Sequence, residues 1–285
     1  MNILTVENLC KSYPAFELKN VSFQLEQGKI TGFIGRNGAG KTTLMRVLKT
    51  TTLKSLFDFV HPDSGLIRFF GMEFAKHQLE IKQRVGFVSG GIDFYPNKRL
   101  RAITAATRPF YSQWDDAEYR KYLELFQLDE AKTPSQLSAG MKVKYSLAMA
   151  LSHRAELLIL DEPTSGLDPV SRDELLDIFM DLGEEGVTIL FSTHITSDLE
   201  KCADEIIYIK NGSVLAQNGL RQFVSDYRIY TLQKEQLTPE LQARSLGTAR
   251  GKYGYSVLLK ANEPLGLDAP EREVTLEEIM VHLEK

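Results

Sequence analysis

Short, continuous apolar runs are the clearest pattern along the chain. Three of them, at residues 29–34, 157–160 and 187–193, lead into glycine-rich or polar segments. An apolar run of this length predicts a strand buried on both faces, as in a parallel sheet. Because ligands of open α/β sheets bind at the carboxyl ends of the strands, we expect the chemistry in the segments that follow these runs.

Helical patterns fill other parts of the chain. Apolar residues at helical spacing predict helices over residues 119–128 and 142–152. Further on, residues 253–260 read as a strand, and Thr275 and Glu278 have the spacing of a capping box. The helix that this box opens has four apolar residues on one face: Leu276, Ile279, Met280 and Leu283.

The bulk composition disfavours several classes of function. The 285 residues carry a formal net charge of −4, which does not favour nucleic acid as a partner or a basic membrane-binding face. Cys10 and Cys202 are too few for a disulfide framework or a cysteine-based metal site. The first residues lack a signal-peptide pattern, and no apolar run is long enough to span a bilayer. We therefore expect a cytoplasmic protein, and docking onto a membrane protein stays open.

A phosphate-binding loop follows the first apolar run. Residues 35–42 fit the pattern G-x-x-x-x-G-K-[ST], between a predicted strand and a predicted helix. Its glycines permit tight curvature while backbone N–H groups point at a polyphosphate. We expect Lys41 to reach the β- and γ-phosphates and the Thr42 hydroxyl to coordinate Mg²⁺. The predicted nucleotide-binding residues of this loop are Gly35, Asn37, Gly38, Ala39, Gly40, Lys41, Thr42 and Thr43.

Candidate catalytic and binding residues lie at the ends of the other two apolar runs and at the start of a predicted helix. Asp161 ends the second apolar run, where it can hold Mg²⁺, and Glu162 is placed to polarise a water that attacks the γ-phosphate. His194 follows the third run and can contact a γ-phosphate or that water, although a histidine alone is more often structural. Ser138 and Gly140, at the start of a predicted helix, form a second anion-binding end, or else an ordinary N-cap.

Taken together and in this order, these elements resemble the ATP-binding subunit of an ABC transporter over roughly residues 1–220. The matching segments are Tyr13 as the adenine-stacking aromatic, residues 35–43 as Walker A, residues 137–141 as the signature, residues 157–162 as Walker B, residues 165–168 as the D-loop and His194 as the switch histidine. The resemblance implies that ATP and Mg²⁺ bind here. It also implies that Glu162, His194 and Lys41 are catalytic and that Thr42 and Asp161 hold the metal.

The resemblance further implies a fold and its division. The expected fold is an α/β P-loop NTPase cassette with a RecA-like parallel-sheet core and an N-terminal antiparallel β portion. We expect a helical subdomain at about residues 91–150 within an ATPase domain of residues 1–220. A small α+β extension would occupy residues 221–285.

Partners are implied in the same way. In this family each ATP lies between the Walker A loop of one subunit and the signature of another, so a homodimer or a heterodimer with a related subunit is expected. Ser138 and the N–H group of Gly140 would close over the γ-phosphate from across that interface. Residues 108–114 and 192–199 resemble a subgroup that pairs with a separate membrane permease, several of them exporters of peptides or antibiotics, often encoded beside GntR-type repressors. Such a subunit lies on the inner face of the cell membrane through its permease.

Two alternatives to the transport subunit stay open. One is a soluble ABC protein that moves no substrate, and the other is a regulatory subunit with weak hydrolysis. The second is motivated by Gly90, which stands where the family has a glutamine that touches Mg²⁺. Water, Gln83 or Asp93 would have to replace that glutamine. In the signature, Ala139 and Met141 replace a glycine and a glutamine, which leaves Ser138 and Gly140 for the contact across the interface.

A repeated octet follows the phosphate loop. Residues 41–48 and 49–56 are identical at four of eight positions. We interpret this as a tandem duplication, with length variation in the family as the alternative. Lys49 lacks the upstream glycines of Lys41, so Lys41 is expected to remain the phosphate lysine.

Overall fold

The protein is seen here in a computed structural model, which describes residues 1–13, 16–35, 62–89, 95–252, 254–263, 265 and 271–284. The strands of these residues are β1 (Asn2–Tyr13), β2 (Phe16–Glu26), β3 (Ile30–Ile34), β4 (Ser64–Phe69), β5 (Met72–Glu73), β6 (Val85–Ser89), β7 (Leu157–Asp161), β8 (Thr188–Ser192), β9 (Glu205–Lys210), β10 (Ser213–Gly219), β11 (Tyr227–Leu232), β12 (Gly247–Gly251), β13 (Gly254–Lys260) and β14 (Glu271–Arg272). The helices of the same residues are α1 (Gln78–Arg84), α2 (Leu100–Thr107), α3 (Asp116–Leu125), α4 (Ala139–Ser152), α5 (Pro169–Glu184), α6 (Thr196–Cys202), α7 (Leu220–Ser225), α8 (Pro239–Arg244) and α9 (Leu276–Leu283).

A six-stranded sheet forms the centre of the molecule. Its strand order is β10-β9-β3-β8-β7-β6, and all neighbours are parallel except the β9–β10 pair. Every residue of β3 and β8 is buried, as the continuous apolar runs predict for a parallel sheet covered on both faces. The register pairs Ser89 with Asp161 and Asp161 with Ser192, so these strands end together at one edge.

A second, antiparallel sheet covers one face of the central sheet. Its strand order is β2-β1-β4-β5. The two sheets share one apolar core, in which Leu4 and Phe69 of the antiparallel sheet meet Phe33, Leu157 and Leu190 of the central one. The predicted α/β fold with an N-terminal antiparallel portion is therefore confirmed.

Helices cover the other face of the central sheet. A single core cluster joins Leu158, Leu160 and Phe191 of the sheet to residues of α2, α3, α4 and α5. Within it the hydroxyl groups of Tyr119 and Tyr145 each lie 2.7 Å from Thr104 Oγ1, so these buried polar groups satisfy one another. The helices predicted over residues 119–128 and 142–152 correspond to α3 and α4.

The strands that follow β10 in the chain form a third sheet, with strand order β12-β13-β11-β14. One face packs with α9 into the same core cluster as the central sheet, through Ile229, Leu258 and Ile279. The predicted strand at 253–260 and the capping box of Thr275 and Glu278 are both present. Among the described residues, no helix has the length and apolar character needed to cross a membrane.

Candidate functional site

The carboxyl ends of β7 and β8 bring the predicted acidic residues together. The Ser192 hydroxyl donates a hydrogen bond to Asp161 Oδ1 at 2.9 Å. The backbone N–H of Glu162 in turn donates to Ser192 Oγ at 3.0 Å and to the Ser192 carbonyl at 3.2 Å. Ser192 therefore fixes both residues at the sheet edge. Sequence reasoning missed this serine, because its only signal is the β7–β8 register.

Glu162 and His194 are in direct contact. His194 Nδ1 lies 2.8 Å from Glu162 Oε2, and the two side chains are 49% and 26% exposed. Glu162 has φ of 49°, in the left-handed region that a glutamate seldom adopts. Backbone strain of this kind persists where surrounding contacts impose it, and it is concentrated at functional sites. The arrangement gives a partly exposed carboxylate, held by an imidazole, that can accept a hydrogen bond from water.

The loop after Glu162 is closed by its own hydrogen bonds. The Ser165 N–H donates to the Glu162 carbonyl at 3.2 Å. Asp168 then caps α5, its carboxylate accepting from the N–H groups of Val170 and Ser171 at 3.1 Å each. These contacts with Ser171 and Val170 lower the pKa of Asp168. The predicted D-loop is thus a short turn between two anchored ends.

Asp198 of α6 lies under this turn and is buried. Thr164 Oγ1 donates to Asp198 Oδ2 at 2.7 Å, and Arg172 Nε lies 3.4 Å from Asp198 Oδ1. Burial raises the pKa of Asp198, and the Thr164 and Arg172 contacts oppose that rise. No sequence motif marks a role for this residue, since a carboxylate in a helical pattern ordinarily faces solvent.

Ser138 and Gly140 begin α4 on the same side of the molecule as the D-loop. The exposed Ser138 caps the helix by accepting from the Met141 N–H at 3.2 Å. A Cβ on Gly140 would lie 3.7 Å from Leu167 and from Ser171, at ordinary contact distance. Packing within the described chain therefore does not require a glycine here.

Several predicted site residues are placed only partly or fall outside the described chain. Gly35 is buried directly after β3, and Tyr13 is the last residue of β1. The Thr193 N–H donates to the Phe33 carbonyl at 3.3 Å, which sets the start of the phosphate loop beside the end of β8. The residues outside the described chain are Asn37, Gly38, Ala39, Gly40, Lys41, Thr42, Thr43, Gly90 and Asp93, and both octets also lie there.

Gln83 does not replace the missing Q-loop glutamine, contrary to one of the possibilities raised above. Its side-chain amide donates to the Phe110 carbonyl at 2.8 Å and accepts from the Ser112 N–H at 2.8 Å. It also precedes β6, whose far end reaches the site edge. Four strand steps at ~3.3 Å each place that edge roughly 13 Å away. The amide of Gln83 instead holds the segment that carries Phe110.

Comparisons with known proteins agree with this geometry. The family model for "ABC transporter" matches residues 18–48 and 49–165. The bacitracin transport ATP-binding protein BcrA of Bacillus licheniformis is 34% identical over 219 residues, covering 75% of this chain and 69% of that protein. The ABC transporter ATP-binding protein YtrB of Bacillus subtilis is 30% identical over 211 residues, covering 74% and 69%.

A solved structure of the ATP-binding subunit of an ABC transporter superposes with a TM-score of 0.66 at 29% identity, covering 78% of this chain and 93% of that one.

The two segments of the family match meet between Leu48 and Lys49, the boundary between the repeated octets. A tandem duplication would interrupt a family match at this boundary.

Proposed function

The chain belongs to the ABC transporter family of ATPases, and from that premise we propose that it powers a separate membrane permease as the ATP-hydrolysing subunit of an exporter. One observation carries the hydrolytic part of the proposal. Glu162 is held 2.8 Å from His194, next to Asp161, at the edge where the phosphate loop begins. Glu162 would polarise the attacking water and His194 would hold it in place.

The oxygen groups at this edge fit a magnesium ion. Carboxylate and hydroxyl oxygens are the ligands that Mg²⁺ takes beside substrate phosphates, and Asp161 and Thr42 would supply them here. When bound, the ion would neutralise charge that develops on the phosphate oxygens. The hydrogen bond from Ser192 holds the Asp161 carboxylate at the sheet edge. Lys41 and the loop that includes Gly35 would hold the phosphates, and Tyr13 would stack on the adenine.

We further propose that two such subunits enclose ATP between them. Ser138 is exposed at the start of α4, where its hydroxyl and the N–H groups of Ala139 and Gly140 can contact an anion. A Cβ on Gly140 would meet its neighbours at ordinary contact distance, so we attribute the glycine to the close approach of a bound nucleotide or partner surface. Either a homodimer or a heterodimer would satisfy this arrangement.

For the permease contact we propose a surface formed by Leu79 and Phe110, which are 81% and 77% exposed. Leu79 and Gln83 lie four residues apart on α1 and share a face, and Gln83 holds the Phe110 carbonyl. The next ring, Tyr111, stacks on His153 at 3.9 Å with an interplanar angle of 5°. A rigidly held, exposed aromatic residue is the kind of anchor that carries binding energy at interfaces.

The bacitracin transport relative supports export of a peptide or antibiotic as the cargo class. We propose an ATPase domain over residues 1–220, with a helical subdomain at about 91–150 and an extension over 221–285. Docking on a permease would place the subunit at the inner face of the cell membrane.

The dimer is tested with the Glu162→Gln variant. This variant should bind ATP but hydrolyse it poorly, so ATP should shift its elution in size-exclusion chromatography from monomer to dimer. The double variant Glu162→Gln with Ser138→Arg should bind ATP and stay monomeric. A monomeric Glu162→Gln protein saturated with ATP would contradict the two-subunit site.

The permease contact is tested by affinity purification from membranes of cells that also express a candidate permease. We expect the permease to be retained by the wild type and lost with Phe110→Asp or Leu79→Asp. The matched control is Leu125→Asp, because Leu125 is also exposed, at 62%, but is the last residue of α3, on a different helix from Leu79. Failure of every candidate permease to co-purify would favour a soluble ABC protein that moves no substrate.

A further inference from the structure

Asp198 is a buried carboxylate that the proposed roles leave unused. It lies in α6, four residues after His194, and is 1% exposed. Burying an ionised carboxylate costs on the order of several kcal/mol unless charged or hydrogen-bonding groups compensate it. Well-packed apolar residues often give equal or greater stability at such a place, so stability alone does not explain the carboxylate.

The partners of Asp198 come from two other segments. Thr164, in the loop after Glu162, donates a hydrogen bond from its hydroxyl group to Asp198 Oδ2 at 2.7 Å. Arg172, in the first turn of α5, approaches Asp198 Oδ1 at 3.4 Å. The carboxylate therefore joins the loop, the helix that follows the loop, and the helix that follows His194.

These contacts close a ring around the pair that is proposed to hydrolyse ATP. On one side of the ring, Glu162 contacts His194 at 2.8 Å. On the other side, Thr164 contacts Asp198 at 2.7 Å. Thr164 lies two residues after Glu162, and Asp198 lies four residues after His194. The Ser165 N–H bond to the Glu162 carbonyl stiffens the loop between them. A shift of α6 against the loop would therefore change the Glu162–His194 distance.

We propose that Asp198 is a positioning residue for ATP hydrolysis, which joins the segment of Glu162 to the segment of His194 and so sets the geometry of that pair. The proposal rests on the roles proposed for Glu162 and His194. Asp198 itself touches neither nucleotide nor water in this mechanism. Its effect is expected in the chemical step rather than in nucleotide affinity.

The first test compares kcat and KM for Mg-ATP in two near-isosteric variants. Thr164→Val removes the hydroxyl but keeps the Arg172–Asp198 pair, and Asp198→Asn removes the charge but keeps an acceptor. Because misplacing a reacting group by about 1 Å can cost ~10²-fold in rate, we expect kcat to fall 10- to 100-fold in Thr164→Val. KM should change by less than about threefold, since binding is left intact.

Two controls separate positioning from general stability. Thr164→Ser restores the hydroxyl and should restore kcat. Asp173→Asn breaks an ion pair between α5 and Lys201 of α6, where Asp173 is 66% exposed, and should leave kcat unchanged. Equal loss of kcat in Thr164→Val and Asp173→Asn would overturn the proposal.

The second test places Thr164→Val in a His194→Ala background. If the hydroxyl acts by positioning His194 against Glu162, its removal should cost less than about twofold once His194 is absent, because coupled residues are not additive. A full additional loss in that background would overturn the proposal. An unchanged kcat in His194→Ala alone would overturn the role of His194 and this proposal together. A reduced kcat in His194→Ala with an unchanged kcat in Thr164→Val would overturn this proposal alone.

Discussion

The central and C-terminal sheets use buried strands in different ways. In the central sheet, parallel register brings Asp161 and Ser192 to one edge, where their side chains are hydrogen-bonded to each other. In the C-terminal sheet, the antiparallel register pairs Tyr230 with Val257, and both contribute to a small separate core with Leu241 of α8. A polar contact in this sheet, between Ser256 of β13 and His282 of α9, joins the sheet to a helix. The central sheet therefore positions polar side chains at one edge, whereas the C-terminal sheet contributes mainly to packing.

One helix, α6, connects the site to α9, the helix that packs on the C-terminal sheet. Toward the site, this helix follows His194 and presents Asp198 to Thr164. Toward α9, Glu200 accepts a hydrogen bond from the Leu276 N–H at 2.8 Å, at the start of that helix. We therefore expect the C-terminal residues to stabilise the fold around α6, and the proposed catalytic residues at the sheet edge to set the rate of hydrolysis.

The largest stability effect is expected from Ile279→Ala. Ile279 is completely buried in the core cluster that α9 shares with the central sheet. Truncation of a buried isoleucine costs about 2–5 kcal/mol, so the free energy of unfolding in urea should fall by that amount. Hydrolysis per folded molecule should stay unchanged.

Val281→Ala is the matched control for that experiment. Val281 lies on the same helix but is 42% exposed, and its truncation should cost less than about 0.5 kcal/mol. A folded Ile279→Ala protein without ATPase activity would contradict the expectation that α9 and the C-terminal sheet affect stability but not hydrolysis.

A pH effect of intermediate size is expected at His153, the C-cap residue of α4, which is one of the helices that cover the central sheet. Burial lowers the pKa of His153 to about 4, against an ordinary value of 6.5. Between these values the unfolded chain binds the proton and the folded one does not, so stability falls as the pH drops from 6.5 to 4, by at most about 3 kcal/mol.

The measurement is urea unfolding of the wild type and His153→Phe between pH 7 and pH 4. Phenylalanine can still stack on Tyr111 but cannot bind a proton, so its curve should fall less steeply on acidification. Parallel curves for the two proteins would show that His153 is not the group responsible.

The smallest effect is expected from Glu278→Gln in the C-terminal extension. Glu278 completes the capping box of α9 and pairs with Arg272, and that pairing lowers the pKa of Glu278 to about 2. Because the folded pKa lies below the ordinary one, this stabilisation is present above about pH 4.5 and is lost as the pH falls toward 2. At pH 7 we expect a loss of about 1 kcal/mol by urea unfolding. Glu277→Gln, at the exposed position just before Glu278, should leave the free energy of unfolding unchanged, and an equal loss there would contradict the pairing.

The parts of the fold that could be predicted from sequence are those that chemistry constrains at short range. The apolar runs before Gly35, Asp161 and His194 gave β3, β7 and β8, because a buried strand and its catalytic end are contiguous in sequence. The capping box at Thr275 was equally local. The family motifs then supplied the fold class, and the strand order came from the structure.

What could not be predicted depends on contacts between distant segments. Ser192 gains its role from pairing beside Asp161, and Asp198 gains its partners only when α5 and α6 pack together. Gln83 was a candidate for the Q-loop function because it lies near Gly90 in sequence, but the length of β6 separates it from the site. The remainder of the C-terminal sheet carries no chemical motif, and its pairing depends on side-chain packing alone.

The most direct test of the central claim is the steady-state rate of Mg-ATP hydrolysis by the purified chain, measured beside Glu162→Gln. Loss of a well-placed stabilising group typically costs ~10²–10³ in rate, so we predict clear turnover by the wild type and at least a 10²-fold lower rate in the variant. Equal turnover by the two proteins would contradict the assignment of Glu162 and of the site built around it.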